Sequence, residues 1–287
     1  GHATGSIDVP GRHVPPRHVD RSGRMASYGD HVTPGVERSG PRAASEGGSG
    51  GRRRRAALGE ATGLLLAFLL FARLHAAAGE DVAAATDNAS ALQSVERALH
   101  VDIERSANGW LAGHPVLAEL AVYYYRSYYV VLVGVLVWVF VRHADVYPRA
   151  RRTLLAMTAL ALLVFWALPM SPPRFALPGV VDIVAGHDLL GSDPAGQLAS
   201  GQNLYSAMPS LHVGWSAWCA YAGWCALRAR HPRPALLSWL FPLVMVAVVL
   251  TTGNHYVLDI VGSAVLLGVS IVAASLFGRR AARVSPP

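Results

Sequence analysis

The chain has 287 residues, of which 52% are hydrophobic and only 15% charged, and its formal charge is +7. A soluble domain carries about a quarter charged residues, so the deficit excludes an ordinary water-soluble globule and points to a polytopic membrane protein. All the basic residues are arginine, gathered in tails and short loops beside apolar runs, which argues against a nucleic-acid-binding surface.

Residues 1–51 are rich in Gly, Pro, Ser, Arg and His, with no apolar periodicity, and are expected to form a disordered basic tail. Met25 is a candidate natural start within it. Arg52 to Arg55 then precede six apolar segments at 56–74, 116–141, 152–169, 211–228, 235–252 and 256–277. A hydrocarbon core of about 30 Å needs roughly 20 helical residues, so each segment is expected to span. The sequence therefore predicts an all-α membrane domain over 52–278, with six transmembrane helices, and a short basic tail over 279–287. Between the first two spans, Leu92, Val95, Leu99, Ile103 and Trp110 recur at near-helical spacing. Glu96, Arg97, Asp102, Glu104 and Arg105 are interleaved with them, so Ala89 to Trp110 reads as an amphipathic helix on the membrane surface or packed on a partner helix.

Clusters of arginine flank the spans, all on the same side if the six segments cross: Arg52 to Arg55, then Arg142, Arg149, Arg151 and Arg152, then Arg228, Arg230 and Arg233, then Arg279, Arg280 and Arg283. The positive-inside rule makes that side the cytoplasm. Both termini are then cytoplasmic in a cell-membrane protein. The opposite side receives the connections at about 75–115, about 170–210 and Thr251 to Asn254. With no lysine and much Ala, Val, Leu and Gly, the composition resembles that of a GC-rich bacterial genome.

The polar residues at the extracytoplasmic helix ends carry the chemistry. Ser210 and His212 open the fourth span, His255 and Asp259 open the sixth, and Arg174 follows the third. Ser210 stands at an N-cap, where unpaired N–H groups favour an anion. Arg174 is suited to grip phosphate oxygens, with a simple interfacial anchor as the alternative. His255 and Asp259 are four residues apart on one helix face, so the carboxylate can orient the imidazole. His212 can protonate a leaving oxygen. Anion cradle, activated nucleophile and separate acid are the parts needed for phosphoryl transfer through a phosphohistidine.

Arg126, within Tyr123 to Tyr129, lies about two turns below the outer end of the second span. It is expected to contact substrate or to snorkel to the headgroups. Tyr205 and Asn254 adjoin the motifs and are expected to line the pocket, whereas Asp182, Asp188 and Asp193 read as solvated loop acids. Two other classes fit the same residues: a lipid transporter or flippase, and a zinc hydrolase with His212, His255 and Asp259 as ligands.

At these positions the chain resembles the type 2 phosphatidic-acid phosphatase superfamily, which is related to the vanadium haloperoxidases. That signature has an Arg-Pro motif, then Pro-Ser-Gly-His, then Ser-Arg, five residues, His, three residues and Asp. Here the second motif reads Pro209-Ser210-Leu211-His212 and the third keeps His255 and Asp259. The resemblance implies that His255 is the nucleophile, Asp259 its partner, His212 the general acid, and Ser210 and Arg174 phosphate ligands, with no metal or cofactor. The implied substrate is a phospholipid or polyprenyl phosphate, and the acceptor water or a polyol hydroxyl. The chain departs from the pattern at Leu211, at Pro172-Pro173-Arg174, at Val249 where the third-motif arginine would stand, and in having no lysine. Those departures resemble the branch of inositol phosphorylceramide synthases and their bacterial relatives, which move headgroups between lipids.

Overall fold

The structure, a computed structural model, describes Gly1 and residues 46–78, 81–186 and 203–284. Met25, Asp188, Asp193 and residues 2–45 of the expected tail lie outside the described residues. The chain divides into two units, Gly1–Arg54 and Arg55–Pro287. In the first, residues 46–54 are helical; the second carries the rest of the fold.

Among the described residues eight helices follow in chain order: α1 Glu46–Ala77, α2 Val82–Ala98, α3 Glu104–Ala112, α4 Pro115–Arg142, α5 Tyr147–Ala167, α6 Leu211–Leu227, α7 Pro232–Thr251 and α8 Val257–Val284. Single helical turns lie at Pro173–Ala176 and Ile183–Gly186, and no strand occurs among the described residues. Prolines sit in the first turns of α4, α5 and α7, where a missing N–H costs nothing.

Stretches of α1, α4, α5, α7 and α8 are long and apolar enough to cross a membrane, at 20 to 28 residues each. This is the all-α polytopic architecture expected from the hydropathy. The remaining segment, α6, has 17 residues and is shorter than those five. It forms the centre of the bundle, with Val213 to Gly223 buried without a break and α4, α5, α7 and α8 around it. A helix apolar on every side belongs in such a place. Its small residues allow close approach: a Cβ on Gly223 would come 3.3 Å from Ser238 Cβ. Trp218, fully buried, satisfies its indole by donating to the Ala150 carbonyl at 2.9 Å.

The outer faces carry the opposite signature. Val130, Val133, Val137 and Val141 of α4, and Val261, Val265, Val269, Val272 and Leu276 of α8, are exposed at three- and four-residue spacing. Such stripes suit lipid, since water-soluble monomers rarely expose apolar patches of that extent. Helix α1 stands at the edge of the bundle and is tied at its middle and near its C-terminal end. Glu60 accepts hydrogen bonds from the Tyr147 hydroxyl and Arg151 Nη1, each at 2.6 Å in the closest contact. Towards the C-terminal end His75 Nε2 lies 2.9 Å from Ser206 Oγ, and Trp166 Nε1 donates to the Leu74 carbonyl at 3.2 Å.

The amphipathic run forms two helices rather than one. The chain breaks between α2 and α3, where His100 adopts φ 56°. Val95, Leu99, Ile103 and Trp110 face outward, as a surface helix requires. Glu96 and Glu104, expected on the polar side, are instead buried with Leu92, Asn108 and Leu111 against the end of the bundle. Asn108 locks this cover down: its amide donates to the carbonyls of Val181 (2.9 Å) and Thr251 (3.0 Å), and its oxygen accepts from Val181 N (2.8 Å).

Candidate active site

The turn between α7 and α8 sets the site. Thr252 caps α7, and Gly253 follows at φ +75°, a left-handed conformation that glycine adopts without steric penalty. A Cβ there would stand 2.7 Å from Val180 Cγ1. The N–H groups of Gly253 and Asn254 return to the carbonyls of Leu250 (3.2 Å) and Val249 (3.1 Å), which closes the helix. The chain thus reverses within a few residues and delivers His255 to the mouth of α8.

His255 is 5% exposed. Its Nδ1 lies 2.9 Å from the Ala207 carbonyl oxygen and 3.3 Å from Asp259 Oδ2. A carbonyl can only accept, so Nδ1 carries the proton and the Nε2 lone pair is left free. Asp259 is fully buried, and the same Oδ2 accepts from Tyr256 N at 2.9 Å, the reach-back of a capping box. Ala207 is placed by a parallel bridge between Met170 and Ser206, with Met170 N donating to Tyr205 O at 2.7 Å and Ala207 N to Met170 O at 3.1 Å. The shorter contact to Nδ1 is therefore a backbone group that no side-chain motif announces.

Ser210 is the N-cap of α6, its Oγ accepting from Val213 N at 3.3 Å, and it is buried. His212, two residues on, lies between two tyrosines of α4. Its ring centroid is 4.1 Å from that of Tyr125, at 24°, and 4.3 Å from that of Tyr128, at 57°. The His255 ring lies 5.8 Å away. These two tyrosines were legible only as a cluster; their i, i+3 spacing marks one helix face but not what that face touches.

Arg174, in the turn Pro173–Ala176, has its backbone N–H on the Gly253 carbonyl at 3.0 Å. Its guanidinium donates through Nη1 to Asn254 Oδ1 and lies 3.1 Å through Nε from Asp182 Oδ2. Asp182, expected as a solvated loop acid, is thus the carboxylate partner of the site's arginine. The Arg174 side chain is 13% exposed, and its guanidinium lies 4.5 Å from the centroid of the Phe175 ring.

A cavity of about 870 Å³ joins these groups. Its wall carries His212, His255, Arg174 and Asn254 together with the aromatic Phe68, Phe71, Tyr129 and Trp215 from α1, α4 and α6. Arg126 lines it too, as do Arg73 and His75 of α1, which sequence reasoning did not single out. Ser210, Asp259 and Tyr205 are not on its wall, and Tyr205 packs 6.2 Å from Phe175. Among the described residues no three His, Cys, Asp or Glu converge as metal ligands, so His212, His255 and Asp259 do not form the zinc triad considered above.

Chemically, the arrangement offers a nucleophilic nitrogen, a second imidazole held in an aromatic slot and a cation, all on one cavity. No curated protein and no solved structure matches the chain. The model of one family, described as the PAP2 superfamily, matches residues 90–273, which include Arg126, Arg174 and both histidine motifs. The match covers well over half of the sequence: the chain belongs to the PAP2 superfamily, and its function is in general of the membrane-phosphatase type.

Proposed function

We propose that this protein transfers the phosphoryl or phospho-headgroup group of a lipid-linked phosphoester or pyrophosphate through a phosphohistidine on His255. The observation that carries the reading is the contact of His255 Nδ1 with the Ala207 carbonyl and Asp259, which frees Nε2 beside a cavity shared with His212 and Arg174. In the first step Nε2 attacks phosphorus, the bond to the leaving oxygen breaks, and His212 gives that oxygen its proton. In the second, water or an alcohol attacks phosphorus, His212 takes the proton, and the phosphorus–nitrogen bond breaks. Arg174, Asn254 and the start of α6 capped by Ser210 bear the negative charge of the transferred group, with no metal required. Arg126, on the cavity wall, is assigned to the substrate side of the site; Tyr205, off that wall, is not. With α6 as the sixth crossing and the arginine-rich loops in the cytoplasm, both termini are cytoplasmic and the cavity faces the outer side of the cell membrane. The aromatic side chains on the cavity wall suit the apolar portion of a lipid.

The deciding experiment compares purified wild type with His255→Ala on a panel of phospholipids and polyprenyl phosphates, with and without polyol acceptors, read by mass spectrometry. Release or transfer of the phospho-group by wild type alone supports the proposal. Equal turnover by both removes His255 as nucleophile, and activity lost to a chelator and restored by zinc removes the metal-free mechanism. Lipid movement without any phosphate product turns the reading to a transporter.

A further inference from the structure

The start of α8 presents N–H groups with no partner inside the helix. Three carboxylates from three helices meet the chain there. Asp259 Oδ2 accepts from Tyr256 N at 2.9 Å, Glu104 Oε1 from Val257 N at 3.0 Å, and Glu96 Oε1 from Leu258 N at 2.8 Å. Glu96 is 0% exposed and Glu104 1%. One carboxylate at a helix N-terminus is favourable, but three ionised ones in a dry site repel one another.

The carboxyl groups of Glu96 and Glu104 also meet each other, and among the described residues no arginine pairs with either. Two ionised carboxylates can only accept, which is why Glu96 Oε2 stands buried without a donor. A proton on one of them converts that contact into a hydrogen bond. A surface pocket of about 500 Å³, lined by Arg97, Asp102, Glu104 and Arg105, lies beside the Glu104 end of the pair.

We propose that Glu96 and Glu104 are positioning residues for His255. The pair shares one proton and, in that state, clamps the first turn of α8 so that Asp259 and His255 keep their register against Ala207. The proposal rests on His255 being the reacting group.

Burial, with the charges of Glu104 and Asp259 adding to it, pushes Glu96 up to about 8, and burial raises Glu104 as well. The groups facing the pair are Asp259 and Tyr256 from the α8 side and Asp102 from the α3 side. Arg174, in the helical turn packed on α2, is committed to Asp182 and Asn254. Below about 8 the shared proton is in place; above it a second charge develops, the carboxylates repel, and the clamp loosens. Turnover is then lost on the alkaline side.

The test is kcat and KM against pH for the purified full chain and for Glu96→Gln and Glu96→Ala. Glutamine keeps an acceptor for Leu258 N and replaces the shared proton with an N–H. Glu96→Ala is expected to lower kcat about tenfold or more with KM changed by no more than about twofold. Glu96→Gln is expected to recover most of that loss and to move the alkaline limb upward or abolish it. A wild-type alkaline limb in Glu96→Gln, or wild-type kcat in Glu96→Ala, overturns the proposal.

Infrared titration separates this from the catalytic reading and needs no turnover. Wild type is expected to show a protonated-carboxyl band at neutral pH that titrates away near pH 8, and that Glu96→Gln and Glu104→Gln both lack. No such band, or a band persisting in both variants, refutes the shared proton even if the enzyme is active. A band of this behaviour in a protein that turns over no lipid phosphate sustains the pair and counts against the phosphatase chemistry.

Discussion

Replacing Gly253 by alanine tests how the turn holds His255, the proposed nucleophile. At φ +75° an L-residue meets its own carbonyl, at about 1–2 kcal/mol. The added Cβ would also stand 2.7 Å from Val180 Cγ1 and 3.2 Å from both Asn108 Nδ2 and the Val181 carbonyl oxygen. Overpacking of that kind costs about 1–3 kcal/mol, so the variant is expected to lose roughly 2–5 kcal/mol where α7 ends. The strain falls two residues before His255 and on the Asn108 clamp, so the imidazole shifts against Ala207. A displacement near 1 Å lowers kcat by about a hundredfold. Thermal unfolding in detergent, read alongside turnover of a phospholipid substrate, measures both effects. Adding Val180→Ala removes the closest clash and is expected to restore part of the stability, but not the part owed to φ. Wild-type melting and turnover in Gly253→Ala would refute the reasoning, and no recovery in the double variant would refute the clash as its source.

Asp259→Asn keeps an acceptor for His255 and Tyr256 N but loses the charge. Because the Ala207 carbonyl still holds the Nδ1 proton, kcat is expected to fall about 10–100-fold, less than the roughly 10⁴ seen when a triad loses its tautomer; a loss as large as that of His255→Ala would show that Asp259 does more. Stability is expected to follow Glu96. Its folded pKa lies above the ordinary 4.5, so its contribution is fully present below about 4.5, declines as pH rises towards about 8, and is flat beyond. One proton changes stability by about 1.4 kcal/mol per pH unit in that window; chemical denaturation in detergent across it checks the sign, and Glu96→Gln is expected to flatten the slope.

The histidine motifs, the apolar segments and the arginine clusters flanking them were legible in the sequence because each is a one-dimensional pattern. Hydropathy over about 20 residues follows from bilayer thickness, and an i, i+4 pair follows from 3.6 residues per turn. The short α6 was legible as apolar, but its place at the centre was not. Only the packing of four other helices around it distinguishes a lipid-facing helix from an enclosed one.

For the two histidine segments, sequence alone determined which residues stand together at helix starts and that His255 and Asp259 share a face. Tertiary structure decided their partners. The Nδ1 proton of His255 points at a carbonyl 48 residues away, and the first N–H groups of α8 are met by glutamates 153 and 162 residues away. His212 lies between tyrosines of another helix, and Arg174 found its carboxylate in what read as a solvated loop. The physical reason is the same in each case. A buried polar group must be satisfied by whatever comes within about 3 Å of it, and that neighbour is chosen by how helices pack, which local spacing does not encode.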